Sequence, residues 1–323
     1  MCRREPLEVA ILLATYNGEM FVEQQLRSLG ENRTRYTLHW LDDCSTDNTR
    51  QVIRAVAGDM RVDLREHHAP KSRGVPAAFF DLLECAEADI YLFCDQDDIW
   101  EPGKIDTTVA HLLPAIGTPA LCFSDPLVFK GRDTHTRYHM LDILGTSAER
   151  AMQESRVFMS TVGYGNTQGF TQGLKDLYLA HKDIARTHAL MHDVWMYAIA
   201  MASGTVHMLS GVPTTLYRRH DRNVSGHFAD WSGNGRGRIT MNWRQIQRIR
   251  RAVSRHAKGF IFASPSIPAG PKLDRILEVA RLVAKIDHRL SLTELVGFIR
   301  KGVTLPNPRL AMRLAAACLY SDA

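Results

Sequence analysis

In Ile90-Tyr91-Leu92-Phe93-Cys94-Asp95-Gln96-Asp97-Asp98-Ile99-Trp100, an apolar run ends abruptly in three carboxylates. Side chains alternate between faces in an extended segment, so Asp95 and Asp97 are predicted to project to the same side. Like charges at that spacing repel unless a cation lies between them, and Mg²⁺ or Mn²⁺ favours one or two carboxylates plus substrate phosphates. The segment therefore predicts a strand end that holds a metal and a diphosphate. The plainer alternative is a solvated acidic turn after a strand.

Apolar runs and helical patterns alternate before this segment. Strands are predicted at 9–14, 36–41, 62–64 and 89–95, and helices at 19–29, 48–57 and 75–86. This order predicts an α/β fold with a mostly parallel central sheet and helices on both faces. Ligands of such sheets bind beyond the carboxyl ends of the strands, where Asp42, Asp43, Asp95 and Asp97 are expected.

The rest of the chain has a mixed pattern. A polar, irregular stretch at 132–160 is typical of a mobile segment or an acceptor-side insertion. The Gly- and Ser-rich stretch 225–237 predicts the boundary between a catalytic domain, 1–226, and a helical basic extension, 227–323. Further strands are predicted at 121–123, 127–129, 206–209 and 214–217, and helices at 194–202, 242–257, 272–286 and 292–299.

Composition is that of an ordinary soluble globular protein, with 45% hydrophobic and 23% charged residues among 323. The six cysteines form no Cys-x-x-Cys pair, which favours a reducing compartment and gives no indication of a zinc site. Neither a convincing signal peptide nor a run of the ~18 apolar residues that a membrane span needs is found. A cytoplasmic location is therefore expected.

The net charge of +5 is unevenly distributed. Residues 230–323 carry 17 Lys and Arg against 6 Asp and Glu, a net +11, so the first 229 residues carry −6. A strongly basic tail indicates an anionic partner. The pattern around Trp243 and Val253 is that of an amphipathic helix with a basic face, which suits an anionic membrane surface at the inner face of the plasma membrane. The alternative is a helix packed on the catalytic domain with solvated arginines. No recognition motif for nucleic acid accompanies the charge.

Five motifs in one order resemble those of family 2 glycosyltransferases, which are inverting enzymes with the A-type nucleotide-sugar fold. The resemblance covers about residues 8–226, and the Asp-Gln-Asp-Asp-x-Trp form resembles the bacterial rhamnosyltransferase-like branch that builds surface polysaccharides. The motifs are Ala14-Thr15-Tyr16-Asn17-Gly18, Asp42-Asp43-Cys44-Ser45-Thr46-Asp47-Asn48-Thr49, the acidic segment quoted above, His192-Asp193, and Tyr217-Arg218-Arg219-His220-Asp221-Arg222-Asn223.

The resemblance implies nucleotide-sugar contacts from Thr15, Tyr16, Asn17, Asp43, Arg73, Asp95 and Arg218. Asp43 matches the acid that accepts the pyrimidine N3–H, and an ionised carboxylate suits that donor because it only accepts. The alternative for Asp43 is a partner of a helix amino-terminal dipole. A loop Arg such as Arg73 is more often solvated, and Arg218 also fits a basic surface turn.

The resemblance also implies a divalent metal, Mg²⁺ or Mn²⁺, with Asp97 and His220 as its candidate ligands. Asp193 is implied as the general base that takes the acceptor hydroxyl proton; capping of the following helix is the competing role. Two departures from the family pattern stand out. Asn166 replaces the usual Cys of a Gly-Cys-Thr loop. Cys44 stands where Gly is usual, which would strain the chain if that position needs φ > 0; the alternative is a turn of different shape.

The sequence thus predicts an inverting, metal-dependent glycosyltransferase. It would move a sugar, favoured as rhamnose from dTDP-rhamnose, from a dTDP- or UDP-linked donor to a glycan or lipid-linked acceptor. A nucleotidyltransferase would be expected to carry an early Gly-rich phosphate loop, and a dinucleotide-binding oxidoreductase would need a different glycine spacing. The alternative from another class is a catalytically silent scaffold of the same fold that binds a partner or membrane through its basic tail.

Overall fold

A computed structural model describes residues 6–131, 133–158, 163–212, 215–221, 223, 230–232, 236–238, 243–270 and 272–287. The strands are β1 Val9–Thr15, β2 Thr37–Asp42, β3 Asp63–His68, β4 Ile90–Asp95, β5 Ile99–Trp100, β6 Ala120–Ser124, β7 Leu127–Lys130, β8 Asp133–His139, β9 Gly169–Thr171, β10 Thr205–Leu209, β11 Thr215–Arg219, β12 Asp230–Ser232 and β13 Arg236–Arg238. The helices are α1 Val22–Ser28, α2 Thr49–Met60, α3 Val75–Cys85, α4 Lys104–Leu112, α5 Met140–Leu144, α6 Ala148–Ala151, α7 Gln172–Leu179, α8 Lys182–His188, α9 His192–Ser203, α10 Trp243–Ala263 and α11 Leu273–Val283.

The chain forms two compact units that interleave along the sequence. The first unit comprises 1–126, 163–179 and 204–218, and the second comprises 127–162, 180–203 and 219–323. This partition follows spatial contacts, whereas the division into 1–226 and 227–323 followed composition, and that division stays a prediction.

A seven-stranded sheet, in the order β10-β6-β9-β4-β1-β2-β3, forms the centre of the first unit. The pairs β4–β1, β1–β2, β2–β3 and β10–β6 are parallel, as the alternation of strands and helices predicts. Strand β9 runs antiparallel to both of its neighbours, β4 and β6. The mostly parallel α/β architecture predicted from the sequence is therefore confirmed, with one reversed strand that the sequence did not reveal.

Burial explains which strands the sequence revealed. β1 and β4 are buried on both faces, which gives them continuous apolar runs. β3 is the edge strand of the described sheet, and its side chains are exposed or half-buried. It therefore lacks a continuous apolar run, and the apolar pattern indicated only 62–64 although the strand extends to His68. β9 is three residues long, and its Gly169 lies where a Cβ would meet the Thr108 Cγ2 at 2.2 Å. This close approach makes Gly169 a packing requirement of the sheet.

The register brings the ends of the central strands to one level. Ala14 of β1 lies opposite Asp95 of β4, and Thr15 lies opposite Asp42 of β2. The loops that follow these strands therefore leave the same edge of the sheet side by side. This is the edge at which the sequence placed a ligand site.

The second unit is largely helical. The stretch predicted to be irregular, 132–160, instead contains β8, α5 and α6 in its described part, and β8 pairs antiparallel with β7. Short exposed elements of this kind lack the apolar periodicity that sequence reasoning uses. The predicted helices at 194–202, 242–257 and 272–286 correspond to α9, α10 and α11, whereas the one at 292–299 lies outside the described residues. Among the described residues, no helix has the length and hydropathy required to cross a bilayer.

Candidate active site

Eight of the predicted site residues lie in the first unit, at or near the carboxyl edge of the sheet. Asp193 and the His220 that follows β11 belong to the second unit and are described separately. The eight are Thr15, Tyr16, Asn17, Asp43, Arg73, Asp95, Asp97 and Arg218.

The loop after β1 is hydrogen-bonded to the loop after β2. Asn17, with φ 48°, accepts the Thr46 N–H on its Oδ1 at 2.8 Å and donates its own N–H to the Ser45 Oγ at 2.9 Å. Thr15 is buried, and its hydroxyl donates to the Asp42 Oδ1 at 3.0 Å. Thr15 and Asn17 thus fix the shape of this edge. Their predicted contact with a nucleotide stays a prediction.

Asp42 is a second acid at this edge, and its role is structural. Besides Thr15, it accepts the Ser45 N–H at 2.8 Å and pairs with the Arg50 guanidinium at 2.7 Å. These contacts lie on β1, in the loop after β2 and at the start of α2. The adjacent acid, Asp43, instead contacts the loop before α3.

The Asp43 carboxylate holds the loop before α3. It accepts the Ser72 hydroxyl at 2.8 Å and the backbone N–H groups of Arg73 and Gly74, each at 2.9 Å. Two of these donors immediately precede a helix, so the predicted alternative of a helix-terminal partner describes a real contact, made with α3. A carboxylate offers about four acceptor sites, so capacity remains for one further donor. The Arg73 guanidinium itself pairs with Asp81 on α3.

The acidic segment does not stay extended through Asp97. β4 ends at Asp95, and Gln96 and Asp97 form a turn, so the alternation argument that placed both carboxylates on one face does not apply. The Gln96 side chain holds the turn to the loop after β1. Its Oε1 accepts the Tyr16 N–H at 2.9 Å, and its Nε2 donates to the Tyr16 carbonyl at 3.0 Å. The phenol ring of Tyr16 is 52% exposed, which leaves it able to meet a ligand.

The third acid of the segment, Asp98, is fully buried. Its Oδ1 accepts the backbone N–H of Arg218 at 2.9 Å, and its Oδ2 accepts the side-chain amide of Asn166. Burial, followed by the charges of Asp97 and Asp95, raises the pKa of Asp98 well above its usual value.

Arg218 is 1% exposed and holds the acidic turn from behind. Its Nε donates to the Asp97 carbonyl at 2.7 Å, its Nη2 donates to the Gln24 Oε1 at 2.6 Å, and its Cζ lies 5.0 Å from the centre of the Phe21 ring. The guanidinium therefore brings positive charge to the turn and fixes the backbone of Asp97. Direct contact with a diphosphate, which the sequence suggested for Arg218, stays a prediction.

A buried lysine completes this network. Lys104 is 1% exposed; its Nζ donates to the Asn166 carbonyl and lies 3.4 Å from the centre of the Trp100 ring. Burial lowers the pKa of Lys104 to about 7, although nearby Cys94 and Asp98 oppose the shift. Burial thus disfavours charge on both Lys104 and Asp98. Sequence reasoning missed both roles, and the signal available for Lys104 was its place six residues after Asp98, at the start of a helix.

The donor set at the turn fits a hard divalent cation. Asp95 and Asp97 are both partly exposed carboxylates at a strand end, and oxygen donors of this kind suit Mg²⁺ or Mn²⁺. No group of three His, Cys, Asp or Glu side chains in the described part of the chain is arranged to hold a metal. Mg²⁺ commonly uses only one or two protein carboxylates and takes its other ligands from water and substrate phosphates. The residues therefore fit a cation that binds together with a diphosphate.

In the second unit, Asp193 is the second residue of α9. It is half-buried, and its Oδ1 accepts the Val194 N–H at 2.8 Å, a contact of the capping type. The preceding His192 is buried, which lowers its pKa to about 3, so it stays neutral. His220 lies in a turn in which its backbone N–H donates to the Asn223 Oδ1 at 2.6 Å. The roles of Asp193 and His220 stay predictions.

The two departures from the family pattern have structural consequences. Cys44 adopts φ 68°, so the strain expected for a non-glycine residue there is present. Gly165–Thr167 forms a buried turn in which Asn166 contacts both Asp98 and Lys104. Asn166 therefore supports the acidic turn from the interior of the first unit.

Residues 10–161 match the model of the family described as Glycosyl transferase family 2. The dTDP-rhamnosyl transferase RfbG of Shigella flexneri is 26% identical over 224 residues, which cover 66% of this chain and 73% of that protein.

Two solved structures resemble the chain over most of its length. The mannosyltransferase PcManGT of Pyrobaculum calidifontis, in complex with GDP-Man and Mn²⁺, aligns with a TM-score of 0.55 at 16% identity, covering 99% of this chain and 89% of that one. S. aureus TarS 1–349, in complex with UDP-GlcNAc, aligns with a TM-score of 0.51 at 12% identity, covering 96% and 91%. At these identities the likeness concerns the fold alone, and it confirms the fold class predicted from the sequence.

Proposed function

We propose that this chain, a glycosyltransferase that carries a glycosyl transferase family 2 domain over residues 10–161, transfers a sugar from a nucleoside diphosphate to a glycan or lipid-linked acceptor in surface polysaccharide synthesis. One observation carries the proposal. The carboxyl ends of β2 and β4 present Asp43 and the partly exposed acids Asp95 and Asp97 at one edge of the sheet, and Arg218 fixes the turn. Such an edge suits a nucleotide at one end and a diphosphate at the other.

The favoured donor is dTDP-rhamnose, and a UDP-linked sugar is the second candidate. Thymine and uracil both carry an N3–H donor, and Asp43 has acceptor capacity left after holding residues 72–74. The preference for dTDP-rhamnose rests on the similarity to RfbG, which is named a dTDP-rhamnosyl transferase. The exposed ring of Tyr16 is available to lie against the base or ribose.

A divalent cation is part of the proposal, with Asp97 as its first protein ligand and Asp95 and His220 as the further candidates. When bound, Mg²⁺ or Mn²⁺ would act as a Lewis acid that neutralises the leaving diphosphate. Arg218 contributes a fixed positive charge behind the same turn, where its guanidinium donates to the Asp97 carbonyl. A preorganised charge of this kind stabilises negative charge that develops on a leaving group.

Asp193 is proposed as the general base of an inverting displacement. The acceptor hydroxyl oxygen forms a bond to the anomeric carbon while the bond from that carbon to the diphosphate breaks, and the hydroxyl proton passes to the Asp193 carboxylate. A base of this kind supplies ~10²–10⁴-fold in rate. The position of Asp193 in the first turn of α9 favours its ionised form, because the helix amino terminus carries partial positive charge.

A thermal-shift panel tests the proposal. The protein is melted with dTDP, UDP and GDP, each with and without Mn²⁺ or Mg²⁺. A ligand that binds only the folded state stabilises it by ~2.7 kcal/mol at a hundred times its Kd. A metal-dependent shift with dTDP or UDP is expected. No shift with any nucleotide would overturn the nucleotide-sugar site and favour the silent scaffold.

Two isosteric variants separate the roles. Asp97→Asn should abolish the metal dependence of the nucleotide shift, because it removes the charge that would bind the cation. Asp193→Asn should keep the full nucleotide shift and lose nearly all sugar transfer, because it removes only the proton acceptor. Robust transfer by the Asp193 variant would eliminate it as the base and leave its capping contact with Val194 as its role.

A further inference from the structure

The inner face of α10 packs against other residues of the second unit. Val253, Ala257 and Phe260, which share one face by helical spacing, are between 0% and 6% exposed. Phe260 packs edge-on against Phe158, and the Ser254 hydroxyl donates to the Ala284 carbonyl at 2.7 Å. Of the apolar positions that predicted docking on a membrane, Val253 is therefore covered by protein and Ile249 is half-buried.

The outer face of α10 carries a straight row of arginines. Arg244, Arg248, Arg251 and Arg255 are all exposed, and at 100° per residue they lie within an arc of about 60°. Phe262, which is 61% exposed, lies in the same arc at the carboxyl end. With a rise of 1.5 Å per residue, the row from Arg244 to Phe262 spans about 27 Å.

None of the described acids neutralises this row. The sequence of α10 contains six basic residues and no Asp or Glu. Of the two basic residues outside the row, Arg250 is buried and Lys258 pairs with Asp287 at 2.6 Å. Within the described part of the chain, none of the four row arginines has an acidic partner. As far as the described residues show, the charge of the row is therefore left for a ligand outside the molecule.

We propose that the outer face of α10 docks flat on an anionic lipid surface, with the four arginines at the headgroups and Phe262 inserted among them. A linear row on a rigid helix matches a plane of negative charge, and an exposed aromatic ring at its end suits the interface between headgroups and acyl chains. Arginine side chains reach headgroup phosphates while their stems lie along the helix. This places the protein at a surface that could present a lipid-linked acceptor.

Vesicle flotation tests the docking. The full chain is mixed with vesicles of phosphatidylcholine alone or with phosphatidylglycerol added, at increasing NaCl. Binding to the anionic vesicles only, lost as salt rises, is expected because the surface potential decays within a Debye length. Equal binding to both vesicles would overturn the proposal. Tighter binding to a duplex or single-stranded oligonucleotide than to the anionic vesicles at equal salt would also overturn it.

A charge-reversed pair with a matched control sharpens the test. Each basic residue near an anionic surface is worth roughly fivefold in partitioning, so Arg248→Glu with Arg251→Glu should weaken binding at least ~100-fold. Arg65→Glu with Arg281→Glu changes the net charge equally at exposed positions elsewhere and should change binding by less than ~fivefold. Equal losses in the two pairs would show that net charge alone drives binding and would overturn the docking face.

Phe262→Ser tests insertion separately from charge. Removing an aromatic ring from the interface should weaken binding to anionic vesicles about tenfold while keeping its dependence on salt. Unchanged binding would eliminate Phe262 from the docking face. Circular dichroism verifies folding of each variant, and their nucleotide thermal shifts should match the parent protein. This readout distinguishes failure of the docking face from failure of the proposed transferase activity.

Discussion

Replacing Lys104 by Met tests the buried network beneath the acidic turn. The pKa of Lys104 falls from 10.5 to about 7 in the folded protein because burial disfavours its charge. At about 1.4 kcal/mol per pH unit, this difference corresponds to about 5 kcal/mol of stability that depends on pH. Met keeps an unbranched apolar side chain of similar length and cannot bind a proton.

The sign of the effect follows from proton binding. Between about pH 7 and pH 10.5 the unfolded chain holds the Lys104 proton and the folded protein does not, so this contribution makes the folded state more stable as pH rises. Below about pH 7 both states hold the proton, and the contribution no longer changes. Relative to the Lys104→Met variant, the parent protein should therefore gain about 2 kcal/mol of unfolding free energy from about pH 7 to about pH 9.

Urea unfolding followed by circular dichroism at a series of pH values measures this difference. Lys130→Met, at an exposed position, is the control that removes one lysine without touching the network. Parallel curves for the parent protein and the Lys104 variant would refute the reasoning. They would mean that Lys104 stays charged in the fold, with its interactions with Asp98, Asn166 and Trp100 outweighing burial.

The remaining predictions concern one strained residue and one candidate ligand. Cys44 has φ 68°, so Cys44→Gly should be about 1 kcal/mol more stable than Cys44→Ala in denaturant unfolding, the reverse of the usual order of these residues; an Ala variant at least as stable would contradict the strain. His220→Ala should raise the Mn²⁺ concentration needed for the nucleotide thermal shift by roughly tenfold if His220 ligates the metal, as removing a site's supporting partner can cost 10–100-fold in affinity. His68→Ala, at an exposed position, is the control, and an unchanged metal titration in the His220 variant would exclude it as a ligand.

The sequence alone was sufficient for features that arise locally. Buried parallel strands such as β1 are apolar on both faces, so their runs were visible and their carboxyl ends could be placed at one edge. Asp95 follows such a run directly and Asp43 follows one after Asp42, and the family resemblance supplied their predicted roles. The question of strain at Cys44 came from the family resemblance, which has Gly at that position, and the structure answered it with a φ of 68°.

Tertiary structure decided everything that depends on distant partners. Asp98 resembles its neighbours in sequence, yet it is buried. Its carboxylate accepts the backbone N–H of Arg218, which lies 120 residues away in the chain. Asn166 is also distant in sequence, and it donates to Asp98 through its side-chain amide and accepts from Lys104 through its carbonyl.

The amphipathic pattern of α10 predicted a helix and a basic face, because both are properties of its own periodicity. Which face of the helix is exposed to solvent depends on the other segments of the chain that pack against it. The packing of Phe158 against α10 and the hydrogen bond from Ser254 to Ala284 occupy the apolar side. The arginine row is left outside because burying unpaired charge costs far more than exposing it, and only the assembled second unit fixes that choice.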